Sequence, residues 1–144
     1  MQPLHKFKSD THFLDIIKLY DLDSKLRLHF LDALERIEVS IKSIINNHMS
    51  VRYSAAWYTE KSCYDENKFD HIYSQLLDHK GFKDPQHKFI KHFRQKYQDN
   101  YPPNWMAFEV INFGEISKIY SCLRNNDAKI IADNFCLSPR ILKS

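Results

Sequence analysis

The sequence is poor in the residues that make tight turns. Only two of its 144 residues are glycine, and only five are proline. Hairpin turns depend on glycine and asparagine at positions with left-handed backbone angles, so this chain has few places to build a sheet of hairpins. The long stretches between the glycines and prolines favour helix over strand. We therefore expect an all-α fold with a single compact multi-helix domain over residues 1–144, which is long enough to bury a core.

Cysteine is also scarce, which bears on disulfides and metals. The three cysteines, Cys63, Cys122 and Cys136, are odd in number and lack the spacing of a zinc site. We expect them to be buried thiols of a cytosolic protein. We also expect no metal and no cofactor, because the following histidines lack the spacing that puts two ligands on one helical face: His71, His79, His87 and His92.

Long apolar runs are missing as well. No run approaches the roughly 18 residues that a membrane-spanning helix needs, and residues 1–10 lack the apolar core of a signal peptide. We expect a cytoplasmic protein with no membrane partner. Lysine and arginine total 21 against 18 acidic residues, which gives a net charge of +3. So small an excess permits an RNA partner without requiring one.

Apolar residues at helical spacing predict a series of helices. The first lies near residues 11–20, and a longer one runs from about 24 to 48 with Asp23 or Ser24 as its cap. His48 falls near the end of this helix, where it can interact with the helix dipole. Between residues 50 and 67 the period fails, and we expect a packed connection anchored by the aromatic residues Trp57, Tyr58 and Tyr64.

Further helices follow in the second half of the chain. One runs from Phe69 to just before Gly81, the candidate left-handed cap. Another covers residues 104–113 and should be buried on nearly all sides, and Gly114 separates it from a helix over 116–124. Asn126 or Asp127 is expected to cap a short helix. Ser138 and Pro139 form a strong start signal for a last one.

The helix predicted over about 86–98 carries most of the candidate binding residues. We expect Phe89, Ile90, Phe93 and Tyr97 to face inward. The basic side could contact an RNA backbone through its phosphates, with His92 and nearby aromatic residues available for stacking. An ordinary charged surface explains the same pattern. The candidates are the outward-facing residues Lys88, Lys91, Arg94 and Lys96, with His92 beside them.

Three blocks of sequence resemble a known family, the Abi-like (abortive infection) phage-resistance proteins of bacteria. They are Phe13–Val39, the segment Phe89–Phe93 with Tyr97, and Pro102–Leu123 continued through Ile131–Phe135. The resemblance implies a helical bundle of the HEPN superfamily, whose members include metal-independent ribonucleases of phage defence. It also implies that the long helix packs near the catalytic one, which adds Arg36 and Lys42 to the candidate RNA-binding residues. Lys42 stands where the family often has arginine, which weakens the case for bidentate phosphate binding there.

The superfamily's catalytic signature is an arginine and a histidine with about four to six residues between them. None of the six arginines of this chain has a histidine at that spacing, so we assign no catalytic residue. The chain resembles the middle of the family domain, and we expect it to be truncated at its C-terminal end. Two interpretations remain open: part of an RNA-cleaving toxin, with a possible second copy or antitoxin as partner, or a non-catalytic RNA- or protein-binding module or inactive remnant. No DNA partner is expected.

Overall fold

The structure is a computed structural model, and it describes residues 12–74, 87–98 and 101–143. Within these ranges the chain is helical, without β-strands other than a single bridge between Tyr64 and Leu123, so the all-α prediction is confirmed. Contacts divide the chain into two units, Met1–Val39 and Ser40–Ser144, which are described separately below. The α-helices are α1 (Phe13–Arg52), α2 (Phe69–Ile72), α3 (Lys88–Tyr97), α4 (Asn104–Val110), α5 (Phe113–Cys122), α6 (Asn125–Asp133) and α7 (Pro139–Lys143).

The predicted break between two N-terminal helices is wrong, because α1 continues through it. No glycine or proline interrupts this stretch. Asp21 accepts a hydrogen bond from Lys25 at 2.7 Å, and Asp23 forms an equivalent pair with Arg27 at 2.5 Å. In each pair the acid precedes the base by four residues, the order that best supports a helix. Asp23 therefore stabilises the interior of a helix instead of capping its start.

In the described part of the first unit, residues 12–39, no side chain is buried. Large apolar residues such as Phe13, Tyr20 and Phe30 are exposed along this part of α1. The hydrophobic core lies in the second unit. There the end of α1 contributes Ile45 and Met49, which are fully buried in one cluster with side chains of α3 to α6.

The connection between α1 and α2 is buried although it is mostly irregular. It contains two short 3₁₀ helices, at Trp57–Thr59 and Lys61–Cys63. The prediction that aromatic side chains anchor it is confirmed, since Trp57, Tyr58 and Tyr64 are almost completely buried. The Tyr64 hydroxyl donates to the Tyr58 carbonyl at 2.8 Å, which satisfies a polar group inside the core.

The junction between α4 and α5 differs from the prediction. Asn112 caps α5, and it forms a reciprocal capping box with Glu115 in which each side chain bonds the other residue's backbone N–H at 3.0 Å. Gly114 therefore lies inside the first turn of α5 and does not separate the helices. Nor is α4 buried on nearly all sides. Its Ala107 and Phe108 are in the core, whereas Trp105 is 60% exposed.

The last two helices partly match the sequence analysis. Pro139 begins α7 as predicted. Asn126 and Asp127 do not cap α6, because the helix begins at Asn125 and its N-cap is Arg124, two residues before the nearer predicted cap. Cys136 is exposed, contrary to the prediction, because it follows the end of α6 in a left-handed conformation with φ of 54°. The predicted cap Gly81 lies outside the described residues.

Burial of Cys63 makes stability depend on pH. Burial is the main cause that raises the pKa of its thiol from 9.0 to about 12, and burial also raises the pKa of Tyr64 well above 10.0. A group that holds its proton more tightly when folded stabilises the protein below its unfolded pKa, and this contribution is lost as the pH rises toward the folded pKa. We predict that the free energy of unfolding, measured by urea denaturation, starts to fall near pH 9 and falls more steeply above pH 10.

Replacing Cys63 with alanine should flatten the fall in the free energy of unfolding between pH 9 and 10. In that interval the Cys63 thiol titrates in the unfolded chain, whereas the Tyr64 hydroxyl titrates only at higher pH. The matched control is Cys136→Ala, which removes an exposed thiol and should leave the decline unchanged. Equal pH profiles for the two variants would contradict the assignment of the effect to Cys63.

Candidate nucleic-acid interface

A groove of about 660 Å³ lies in the second unit, between α3 and the segment that leads into α4. Its size is within the range of roughly 300–1,000 Å³ that is usual for ligand sites. Five aromatic side chains line it, and two basic side chains join them. The lining residues are Ala55, Ala56, Phe89, His92, Phe93, Lys96, Tyr97, Tyr101, Pro103, Trp105 and Met106.

The α3 wall follows from helical geometry. Phe89, Phe93 and Tyr97 are four residues apart and form one stripe, and His92 and Lys96 form a second stripe beside it. The prediction that all four apolar residues of this helix face inward is therefore wrong in part. Ile90 is buried, but Phe89 and Tyr97 are 41% and 59% exposed and line the groove. Amphipathic spacing alone cannot distinguish a face that packs from a face that forms a cavity.

The opposite wall is held by hydrogen bonds to the buried connection. The Tyr58 hydroxyl donates to the Pro102 carbonyl at 2.5 Å, and the Asn104 backbone N–H donates to the Ala55 carbonyl at 2.7 Å. The Tyr101 hydroxyl lies 2.5 Å from the hydroxyl of Tyr73, the residue that follows α2. These bonds place the start of α4, and with it the exposed ring of Trp105, at the edge of the groove.

The predicted basic residues of α3 occupy different sides of the helix. His92 and Lys96 line the groove, and Lys88 lies one turn before His92 on the same stripe but does not line the groove. Lys91 lies on roughly the opposite side of the helix from the groove. Arg94 is half-buried, on the side of α3 that carries Ile90. The helix thus brings two of the five candidates into one site.

The two candidates on α1 belong to different units. Arg36 is in the first unit, where its Nε atom lies 3.1 Å from the Asp32 carboxylate across one helical turn. Lys42 is in the second unit, half-buried, and it does not line the groove. The role predicted for either residue in RNA binding remains a prediction.

A second polar cluster, which we call the Asp127 cluster, was missed by the sequence analysis. Asp127 is buried at the start of α6, and its Oδ1 atom lies 2.9 Å from His48 Nε2 and 3.3 Å from a guanidinium nitrogen of Arg52. The Tyr53 hydroxyl donates to Oδ2 at 2.9 Å. His48 therefore contacts a carboxylate as well as lying near the end of a helix. An acidic residue at a helix start is ordinarily a cap, which concealed this role.

The Asp127 cluster joins the end of α1 to α6. A buried carboxylate is costly unless opposite charge and hydrogen bonds surround it, and here three side chains converge on it. Burial and then the hydrogen bond to Asp127 raise the pKa of Tyr53, so its hydroxyl remains a donor.

Among the described residues, no group of three or more histidine, cysteine or acidic side chains could hold a metal ion. In the same part of the chain, no helix has the length and apolar character needed to cross a membrane.

The fold and the groove define an all-α protein with a site that combines aromatic rings and basic side chains. The chain belongs to the Abi-like protein family, whose model matches residues 1–144. This membership suggests a role in abortive infection, a form of phage defence. Comparison with curated proteins and with solved structures found no match.

We predict that Asp127→Asn lowers the free energy of unfolding by roughly 2–4 kcal/mol, because it removes the buried charge to which His48, Arg52 and Tyr53 are bound. Urea denaturation at neutral pH measures this change. The matched control is Asp133→Asn on the exposed part of the same helix, with an expected effect within about 0.5 kcal/mol. Similar losses in the two variants would show that the Asp127 cluster adds nothing beyond a surface charge.

Proposed function

We propose that this Abi-like protein acts in phage defence by binding RNA in the groove between α3 and α4. The observation that carries the proposal is the composition of one face of α3, where His92 and Lys96 lie beside the rings of Phe89, Phe93 and Tyr97. Basic groups attract the RNA backbone, and aromatic faces accept bases whatever their sequence. Either feature alone is common on protein surfaces, but their combination in one cavity favours a nucleic acid.

The charge of the protein indicates that individual basic side chains attract RNA, and that the net charge of the whole molecule contributes little. A net charge of +3 over 144 residues gives little long-range steering, so binding must rely on particular cations. Lys96 is exposed, and its ammonium lies 5.3 Å from the centre of the Tyr97 ring. This contact holds the charge at the groove, where a phosphate can replace water around it.

RNA cleavage is the second candidate function, and the place of His92 in the groove favours it. The family's resemblance to HEPN ribonucleases suggests metal-independent chemistry, in which a histidine moves protons and an arginine stabilises the charged phosphorane. No arginine is among the described residues that line the groove. The His48 and Arg52 pair is engaged by Asp127. We therefore propose binding without turnover for this polypeptide, and cleavage only where another chain supplies the arginine.

We predict that Lys96→Ala weakens the binding of a fluorescently labelled single-stranded RNA about three- to tenfold at low salt. It should also reduce the slope of log affinity against log salt by about 1, because one phosphate contact is lost. Fluorescence anisotropy over about 50–200 mM salt measures both quantities. The matched control is Lys91→Ala, which removes the same charge from roughly the opposite side of α3 and should change affinity less than about twofold.

Equal losses in Lys96→Ala and Lys91→Ala would mean that RNA is attracted by general charge and not by the groove. Absence of salt-sensitive binding by the unaltered protein would overturn the proposed function itself.

We predict that the purified chain leaves RNA uncut in the presence of a metal chelator, as judged by gel electrophoresis. The variants His92→Ala and His71→Ala provide the comparison, since His71 is exposed on α2 and does not line the groove. Cleavage that is lost in His92→Ala and retained in His71→Ala would replace binding with catalysis as the function of the groove.

A further inference from the structure

Three large aromatic side chains remain exposed at the groove although each could contribute to a core. Trp105 is 60% exposed, Tyr97 59% and Phe89 41%, and they come from two separate helices that meet at the same cavity. Scattered exposed apolar residues are ordinary, but a contiguous set around a concave site marks a binding surface. The rings lie beside a cavity that small residues, Ala55 and Ala56, leave unfilled.

Two rings of the groove, those of Tyr97 and Tyr101, contact other aromatic side chains that hold them in place before any ligand arrives. Phe93 and Tyr97 are 4.9 Å apart between ring centres and tilted by 36°. Tyr101 is fixed by its contact with the Tyr73 hydroxyl and by an edge contact with the Tyr58 ring at 6.5 Å. Rings with little remaining freedom lose little entropy on binding, which favours flat partners that can stack on them.

We propose that the groove holds unpaired nucleobases stacked on Trp105 and Tyr97, and that single-stranded RNA is therefore the class of substrate. This proposal rests on RNA binding as the proposed function and specifies which form of RNA binds. Bases inside an RNA duplex are stacked on each other and cannot present their faces to a protein ring, whereas bases of a single strand can. Lys96 and His92 lie in the same groove, where they can contact the phosphates that flank a stacked base.

An apolar segment of a protein is the competing occupant, and the charges favour RNA over it. His92 and Lys96 are both basic side chains that line the groove, and Lys88 lies one turn before His92 on the same stripe. A purely apolar ligand would leave these groups to be desolvated without a partner. A phosphate next to a base satisfies them.

The two tryptophans of the chain allow a direct test. Trp57 is fully buried and Trp105 is exposed at the groove, so a change in tryptophan emission on adding RNA reports mainly on Trp105. We expect an unlabelled single-stranded oligonucleotide to quench this emission, and a duplex of the same length to leave it nearly unchanged. Unchanged emission at saturating single-stranded RNA would overturn stacking on Trp105.

Two variants separate stacking from charge. Trp105→Ala should weaken single-stranded RNA binding about tenfold and leave the salt slope unchanged, because a stacked base releases no counterions. Ala55→Phe should have a similar effect by filling the groove, with every aromatic residue and every charge retained. The matched control is Tyr20→Ala, which removes an exposed ring from the first unit and should leave affinity unchanged. Circular dichroism checks that each variant is folded.

The outcomes distinguish this inference from the proposed function. Binding of single-stranded and duplex RNA with equal affinity, insensitive to Trp105→Ala and reduced by Lys96→Ala, would overturn stacking and leave RNA binding in place. Failure of both RNA forms to bind would overturn both proposals.

Discussion

Burial of the irregular connection between α1 and α2 is the constraint on which the second unit depends. The Trp57 and Tyr64 rings lie 6.3 Å apart between their centres, and the Trp57 ring also contacts Phe108 of α4. Buried backbone outside a helix must find hydrogen-bond partners elsewhere, so the connection is bonded to the segments around it. These bonds run from Asp65 N–H to the Cys122 carbonyl at 3.0 Å, and from Arg124 N–H to the Cys63 carbonyl at 3.2 Å.

The candidate site takes its geometry from the same connection. Ala55 both lines the groove and accepts the hydrogen bond that fixes the start of α4. The amide of Asn104 is buried in turn, and its nitrogen donates to Ser50 Oγ at 2.5 Å and to Asn46 Oδ1 at 3.2 Å on α1. A rigid core thus holds one wall of the groove. The other wall, α3, is anchored in the core mainly through Ile90, which leaves its aromatic stripe available.

Sequence periodicity predicted most helices because the apolar stripe of each is local information. It failed where the burial of an apolar stripe depends on which other part of the chain packs against it. Phe89 and Tyr97 have the spacing of core residues, yet a cavity faces them. It failed again for Asp127, whose partner His48 is 79 residues away in the sequence, a distance at which no pattern in a single chain links two polar residues. The predicted break near Asp23 failed because a residue that can cap a helix can also lie inside one, and here Asp23 pairs with Arg27 four residues later.

The alanines at the groove bear on what the site is for. Replacing either Ala55 or Ala56 with a larger apolar residue would bury part of Trp105 and Tyr97, and burial of apolar surface stabilises a protein by roughly 25 cal/mol per Å². The chain forgoes this stability and keeps the rings exposed to water. Sites that sacrifice stability in this way are those where an open, preformed surface is needed for binding. The exposed aromatic residues of the groove are therefore better explained by a ligand than by folding.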